Sequence, residues 1–200
     1  MTKGYLGIDI GSISTKGVII DENRAIIARS YLWTEGNPTE ASKNVVRELE
    51  RQVEGAGVDI VGAGTTGSAR RLVGAMLGAS VIKNEITAHA VGTTHLHPDV
   101  RTILEIGGQD SKAIRINDKG EVTDFVMNDK CAAGTGRFLE MMAKTLGLSL
   151  EEMSVKGLEW KHNIVISSMC TVFAESEVVS LVAQNKDVAD IIHGLNVSVA

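Results

Sequence analysis

Short apolar runs separated by glycine turns open the chain. "YLGIDIG" reads as a strand that stops at a glycine turn, "KGVIIDE" as a second strand and "RAIIARSYLW" as a third. The links are only a few residues long, so the three strands are expected to form an antiparallel meander. The pattern then changes period. In "NPTEASKNVVRELERQVEGAG", Val45, Val46, Leu49 and Val53 recur at helical spacing behind Pro38, which suits the first turn of a helix. "DIVGAGTTGSARRLVGAML" reads as strand, glycine turn and helix, and "NEITAHAVGTTHLHP" as a helix ending before Pro98.

The opening pattern returns in "RTILEIGGQDSKAIRINDKGEVTDFVMN", which predicts strand, glycine turn, strand, a hairpin at "NDKG" and strand. Both copies carry an apolar strand ending in Ile-Gly, then a Ser-Lys or Thr-Lys pair and a second apolar strand. A repeat offset of roughly a hundred residues is not a solenoid period. It predicts two related α/β lobes, residues 1–95 and 96–200, each opening with a hairpin unit.

Composition narrows the function classes. The chain has 200 residues, 44% hydrophobic and 22% charged, as ordinary globular domains do. Aromatic residues make up only 4%, against 21 glycines, which favours aliphatic strands and tight turns. The net charge of -5 predicts no nucleic-acid partner. No apolar run approaches the ~20 residues of a membrane span, and no secretory signal opens the chain. A cytoplasmic location is therefore expected, where two cysteines do not make a disulfide framework.

Chemistry concentrates in two loops. In "DIGSISTKG", Asp9 arrives at the end of a strand, Gly11 lets the backbone bend, Ser12, Ser14 and Thr15 offer hydroxyls and amides, and Lys16 adds a positive charge. Successive amides in such a turn form a concave anion site. A carboxylate beside a phosphate calls for Mg²⁺ between them. "EIGGQDSK" repeats the arrangement with Gly107, Gly108, Asp110, Ser111 and Lys112. Either loop alone is also compatible with a polar hairpin turn, and neither is a Walker A sequence. "GAGTTGSARR" is a third glycine-rich turn that either approaches a nucleotide or simply joins strand to helix.

The two loops resemble the phosphate motifs of the acetate/sugar kinase, heat-shock chaperone and actin superfamily, which implies a ribonuclease-H-like two-lobe fold holding ATP and Mg²⁺. By that resemblance Asp9 holds Mg²⁺ through water, and Gly11, Ser12, Ser14, Thr15 and Lys16 touch phosphates. Gly107, Gly108 and Gln109 form the second clamp, with Asp110 near the metal or the attacking water. Hydrolysis would rest on positioning and charge neutralisation.

The cysteines separate the members of that superfamily. "NDKCAAGTGRFLEMMAKTLG" puts Cys131 just before or within the first turn of a helix with Phe138, Leu139, Met142 and Leu146 on its apolar face. "SSMCTVFAESEVVSLVAQ" puts Cys170 just ahead of a helix with Phe173, Val178, Val179 and Val182. Helix N-termini favour a thiolate, and equally an anionic iron–sulfur cluster. A [4Fe–4S] cluster takes about four Cys ligands, which two copies of this chain would supply. Two buried structural thiols remain the alternative. The histidines show no finger-like spacing beside either Cys, which speaks against zinc.

Together, "GIDIGSISTKGVI", "NEITAHA", "ILEIGGQDSKAI", "NDKCAAGTGRFLE" and "SSMCTVFAESEVVSLVAQ" resemble the ATP-dependent activators of 2-hydroxyacyl-CoA dehydratases and the related ATPase subunits of benzoyl-CoA reductase. The resemblance implies a homodimer with one [4Fe–4S] cluster held by Cys131 and Cys170 of both subunits. It also implies a ferredoxin- or flavodoxin-type donor and ATP-driven delivery of one low-potential electron to the dehydratase or reductase. Such proteins continue for several tens of residues beyond "DIIHGLNVSVA", so the second lobe is expected to be incomplete here. A small-molecule kinase and a nucleotide-regulated filament or chaperone-like module are the rival classes. Glu85 is read as a water-positioning acid or a solvated helix residue, His89 as a core or surface histidine, Arg70 and Arg71 as surface or partner contacts, and Met127, Met141, Met142 and Met153 as core filler.

Overall fold

The computed structural model describes residues 1–167 and 170–199; Ser168 and Met169, immediately before Cys170, lie outside the described residues. The chain forms two compact units, Met1–Ile103 with Ile114–Asp124, and Leu104–Ala113 with Phe125–Ala200.

The first unit is built on a five-stranded sheet of order β3-β2-β1-β4-β5, with β1 Thr2–Ile10, β2 Ser14–Ile20, β3 Ile26–Trp33, β4 Val58–Gly67 and β5 Val81–Ile82. The short links make β1–β2 and β2–β3 antiparallel. Helix α1 (Pro38–Val53) intervenes before β4, which returns parallel to β1. Asn37 caps α1 by accepting from the Glu40 amide, and Pro38 occupies the first turn, where its missing N–H is no loss. Val45 and Leu49 of α1 are buried with Ile19 and Ala28 of the sheet. Removing each of the Val, Leu and Ile side chains from water stabilises the fold by about 1.5–3 kcal/mol. Gly17 permits this approach: a Cβ there would strike Val45 and come within 2.8 Å of the Leu49 side chain.

Helix α2 (Arg70–Leu77) follows β4 and ends on Gly78 at φ 62, a left-handed cap. Its Val73 is buried with Ile8 and Ile10. β5 is only two residues long and carries too little pattern to stand out from the sequence. Helix α3 (Glu85–Leu96) starts at Asn84, whose side chain accepts from the Thr87 amide.

A three-stranded sheet of order β6-β7-β8 follows, with β6 Thr102–Ile106, β7 Ser111–Ile116 and β8 Val122–Asn128. The "NDKG" turn forms as its composition predicts. Asn117 Oδ1 accepts from the Lys119 and Glu121 amides, and Gly120 takes φ 76.

Helices α4 (Gly136–Thr145), α5 (Leu150–Lys156), α6 (Thr171–Ala183) and α7 (Val188–Val199) supply the core of the second unit. Phe138, Met142, Met153, Val178, Ile191, Ile192 and Leu195 are buried there. Asp190 ties the segment before α6 to α7 by accepting from the Lys161 and His162 amides at 2.7 and 2.9 Å. Two expectations fail here. Met127 is exposed with most of β8, and Met141 is exposed because only the i, i+4 face of α4 through Phe138 and Met142 turns inward. On α6, only Ala174 and Val178 are buried, and Phe173, Val179 and Val182 face solvent. Among the described residues no helix is long and apolar enough to cross a membrane.

Candidate functional site

The first loop turns between β1 and β2, where the antiparallel register sets Asp9 directly opposite Lys16. Lys16 Nζ lies 3.1 Å from Asp9 Oδ2, and both side chains keep more than a third of their surface in water. The Gly11 amide donates to the Ser14 carbonyl at 3.0 Å, closing the turn. Ser12 is exposed near its tip, its Oγ 3.4 Å from Ser68 Oγ. Ser14 is buried, so its side chain is set back from the tip.

Thr15 does not offer its hydroxyl as expected. It is fully buried, and Thr34 Oγ1 lies 3.0 Å away while itself donating to the Gly11 carbonyl at 2.8 Å. Since that carbonyl can only accept, Thr15 is left to donate to Thr34. Thr15 and Thr34 therefore brace the loop from behind.

The end of β4 joins this site. Asp9 pairs with Thr66 and Ile10 with Gly67 in the parallel register. Gly67 sits at φ 88, where a Cβ would collide with the Ile10 carbonyl and the Asp9 carboxylate. Arg70 donates to the Gly67 carbonyl at 2.9 Å and lies 3.6 Å from Glu85, so Arg70 and Glu85 brace this turn together. Thr66 Oγ1 is buried with no hydrogen-bond partner among the described residues. An orphaned hydroxyl beside a half-exposed carboxylate fits a polar ligand such as a hydrated cation.

The second loop repeats the first in its own unit. The Gly107 amide donates to the Asp110 carbonyl at 2.8 Å, matching the Gly11–Ser14 bond. Lys112 Nζ lies 2.8 Å from Glu105 Oε2, matching Lys16 on Asp9. The difference is Asp110, which stands where the first loop has Ser14. Its Oδ1 is also 2.8 Å from Lys112, whose side chain is only 3% exposed. Burial alone would lower the Lys112 pKa, but the hydrogen bonds it donates to Asp110 and Glu105 outweigh it and hold the ammonium above the usual lysine range. Asp110 is thus held by Lys112, and Gln109 is exposed beside it. The sequence reading did not single out Glu105, although its spacing from Lys112 matches that of Asp9 from Lys16.

Helix α4 is anchored to this loop. The Gly136 and Arg137 amides, otherwise unpaired at a helix start, donate to the Gly107 and Gly108 carbonyls at 2.8 and 3.0 Å. A Cβ at Gly136 would approach the Gly107 oxygen and Gly108 Cα to 3.3 Å.

Both cysteines are exposed and unpaired. Cys170 is the N-cap of α6, as expected, and no side chain caps that helix. Thr171, the next residue, has a buried Oγ1 with no partner among the described residues. Cys131 departs from expectation. The N-cap of α4 is Thr135, so Cys131 sits four residues ahead of it on a loop, beyond the helix's first turn. Helix-dipole stabilisation falls off within one turn and so does not reach it. Asn128, at the end of β8, brackets it instead. Among the described residues no group of three or more His, Cys, Asp or Glu is placed to hold a metal ion. The donor set therefore fits a four-thiolate cluster only when two chains each give two thiols.

Comparison with known proteins adds a second line. The model of the BadF/BadG/BcrA/BcrD ATPase family matches residues 6–200. The chain is 43% identical over 198 residues to the activator of lactoyl-CoA dehydratase of Anaerotignum propionicum, covering 98% of this chain and 74% of that one. It is similar to the crystal structure of Acidaminococcus fermentans (R)-2-hydroxyglutaryl-CoA dehydratase component A, with a TM-score of 0.90 at 36% identity, covering 99% and 75%. It is also similar to the activator of the 2-hydroxyisocaproyl-CoA dehydratase from Clostridium difficile with bound ADPNP, with a TM-score of 0.89 at 38% identity, covering 98% and 72%.

Proposed function

This chain belongs to the BadF/BadG/BcrA/BcrD ATPase family, with its ribonuclease-H-like, actin-type fold, and from that premise we propose that it is an ATP-driven electron donor. It hydrolyses ATP and passes one low-potential electron to a 2-hydroxyacyl-CoA dehydratase or a related acyl-CoA reductase. Two copies share one [4Fe–4S] cluster through Cys131 and Cys170, loaded by a ferredoxin- or flavodoxin-type donor in the cytoplasm. The observation that carries this reading beyond a generic ATPase is the pair of exposed, unpaired thiols. Structural cysteines would be buried, as free Cys usually is.

Each loop has a distinct part. Lys16 neutralises Asp9 and leaves the carboxylate accessible, so the pair can meet a phosphate and its Mg²⁺ together. Ser12, exposed near the tip of the turn, would face the anion, while the Gly11 amide is committed to the Ser14 carbonyl. In the second loop Lys112 fixes Asp110; the Gly107 amide and the Gly107 and Gly108 carbonyls are already paired, so the exposed Gln109 is left to meet the phosphates. Bound by four thiolates, the cluster supplies a one-electron store. Cys170 would place its sulfur at the uncapped N-terminus of α6, where the helix amides favour the negative charge of a bound cluster.

The test is iron and acid-labile sulfide per chain, on protein prepared and reconstituted without oxygen. We expect about two irons per chain, lost in Cys131→Ser and in Cys170→Ser. ATP-dependent reduction of a dehydratase should vanish with the iron. A folded, ATP-hydrolysing protein that binds no iron would overturn the reading and favour a small-molecule kinase.

A further inference from the structure

The loop carrying Cys131 is organised by one side chain. Asn128 Oδ1 accepts from the Cys131 amide at 3.2 Å, and Asn128 Nδ2 donates to the Cys131 carbonyl at 3.0 Å and to the Ala133 carbonyl at 2.9 Å. The carboxamide thereby grips the peptide groups on both sides of Cys131. Its orientation is fixed, because the amide nitrogen faces two carbonyls and the oxygen faces an N–H. Beyond Ala133, Thr135 closes the loop by donating from its amide and its hydroxyl to the Ala132 carbonyl. Cys131 lies outside the first turn of α4, and its backbone is held by Asn128 and not by the helix.

We propose that Asn128 is a positioning residue that sets the direction in which the Cys131 thiol is presented. The proposal deepens the cluster reading and rests on it for its purpose, although the positioning itself is a property of this chain alone. The chemistry demands both faces of the amide. Aspartate has the same shape but turns an acceptor toward two carbonyl oxygens, and alanine removes all three bonds.

The experiment uses Asn128→Asp and Asn128→Ala in the whole chain, with Cys170 as the internal reference. Alkylation of each thiol by iodoacetamide is followed by mass spectrometry in cluster-free protein. Cys131 is already exposed, so loosening its loop changes the surroundings of the thiol and not its access; both variants should shift the Cys131 rate severalfold while Cys170 stays unchanged. In reconstituted protein, the electron paramagnetic resonance signal of the reduced cluster should broaden or shift with its iron content retained. An unchanged Cys131 rate in both variants overturns the proposal. An equal shift at both cysteines also overturns it, since that reports general loosening. A wild-type chain that binds no iron, yet shows the selective Cys131 effect, supports the positioning and removes only the cluster reading.

Discussion

Replacing Lys112 by Met tests whether the two lysines of the repeat have parted roles. Lys112 is almost wholly buried and makes two contacts of 2.8 Å, to Glu105 and Asp110. A hydrogen bond involving a charged group is worth about 1.5–3 kcal/mol, and breaking a buried pair costs about 3–5 kcal/mol. The two carboxylates are 19% and 32% exposed, so water recovers part of that loss. The expected destabilisation is therefore about 2–3 kcal/mol. With a urea m-value near 2 kcal/mol/M, the unfolding midpoint falls by about 1–1.5 M. The matched substitution, Lys16→Met, removes a pair exposed on both sides, worth about 0.2–1 kcal/mol, so its midpoint moves by half a molar or less. Function should show the reverse order: Lys16→Met raises the KM for ATP strongly while leaving the fold intact. Adding Asp110→Asn to Lys112→Met should return part of the lost stability, because one stranded charge is gone. Equal midpoint shifts for the two lysines, or a Lys112→Met protein as stable as the parent, would show that burial has not parted the two lysines.

Three further outcomes are expected. Gly17→Ala should lower stability by about 1–3 kcal/mol in urea unfolding, because its methyl meets Val45 and Leu49 and drives α1 off the sheet. Asp190 is held below the usual aspartate range first by the His162 amide and then by that of Lys161. Its contribution is thus present above the unfolded value of about 3.9 and fades as pH falls through the lower folded value. The urea-midpoint gap between parent and Asp190→Asn should be present at neutral pH and close below about pH 4. Gly136→Ala should raise the KM for ATP in a coupled hydrolysis assay with little change in melting temperature, because its methyl presses on Gly107 and Gly108 without entering the core.

Much of this was legible in the sequence. The meander, α1, the strand–turn–helix at β4 and α2, and the second hairpin announce themselves through period, proline and glycine. The repeat also survives as geometry, since Gly11–Ser14 and Gly107–Asp110 close the same turn. Other features were carried by weaker signals. Ser149 and Glu152 form a capping box ahead of α5, a signature that "SLEE" displays but that follows a helix too closely to stand out. The helix after Cys131 starts late because "AAGTG" places Gly134 at φ 73, a conformation that interrupts a helix, before Thr135 takes the cap. The burial of Thr15 depends on Thr34, nineteen residues away, and no local pattern encodes that contact.

The two loops show how one difference inside a repeated turn redirects its neighbour. Their backbones close on the same bond, and each lysine sits across from the carboxylate seven residues before it. A lysine with one carboxylate gains little by leaving water, because the Coulomb term barely offsets desolvation, so Lys16 stays at the surface. With Asp110 in place of Ser14, a second charge-assisted bond tips that balance, and Lys112 is drawn inward. The outward lysine keeps its charge available to an anion, and the inward one spends its charge holding two side chains still. Serine against aspartate at the fourth position of the turn thus separates an accessible lysine from a strut. The same logic explains the anchoring of α4: a loop stiffened from within by Lys112 can hold the helix start through its carbonyls, and that helix start borders the loop that presents Cys131.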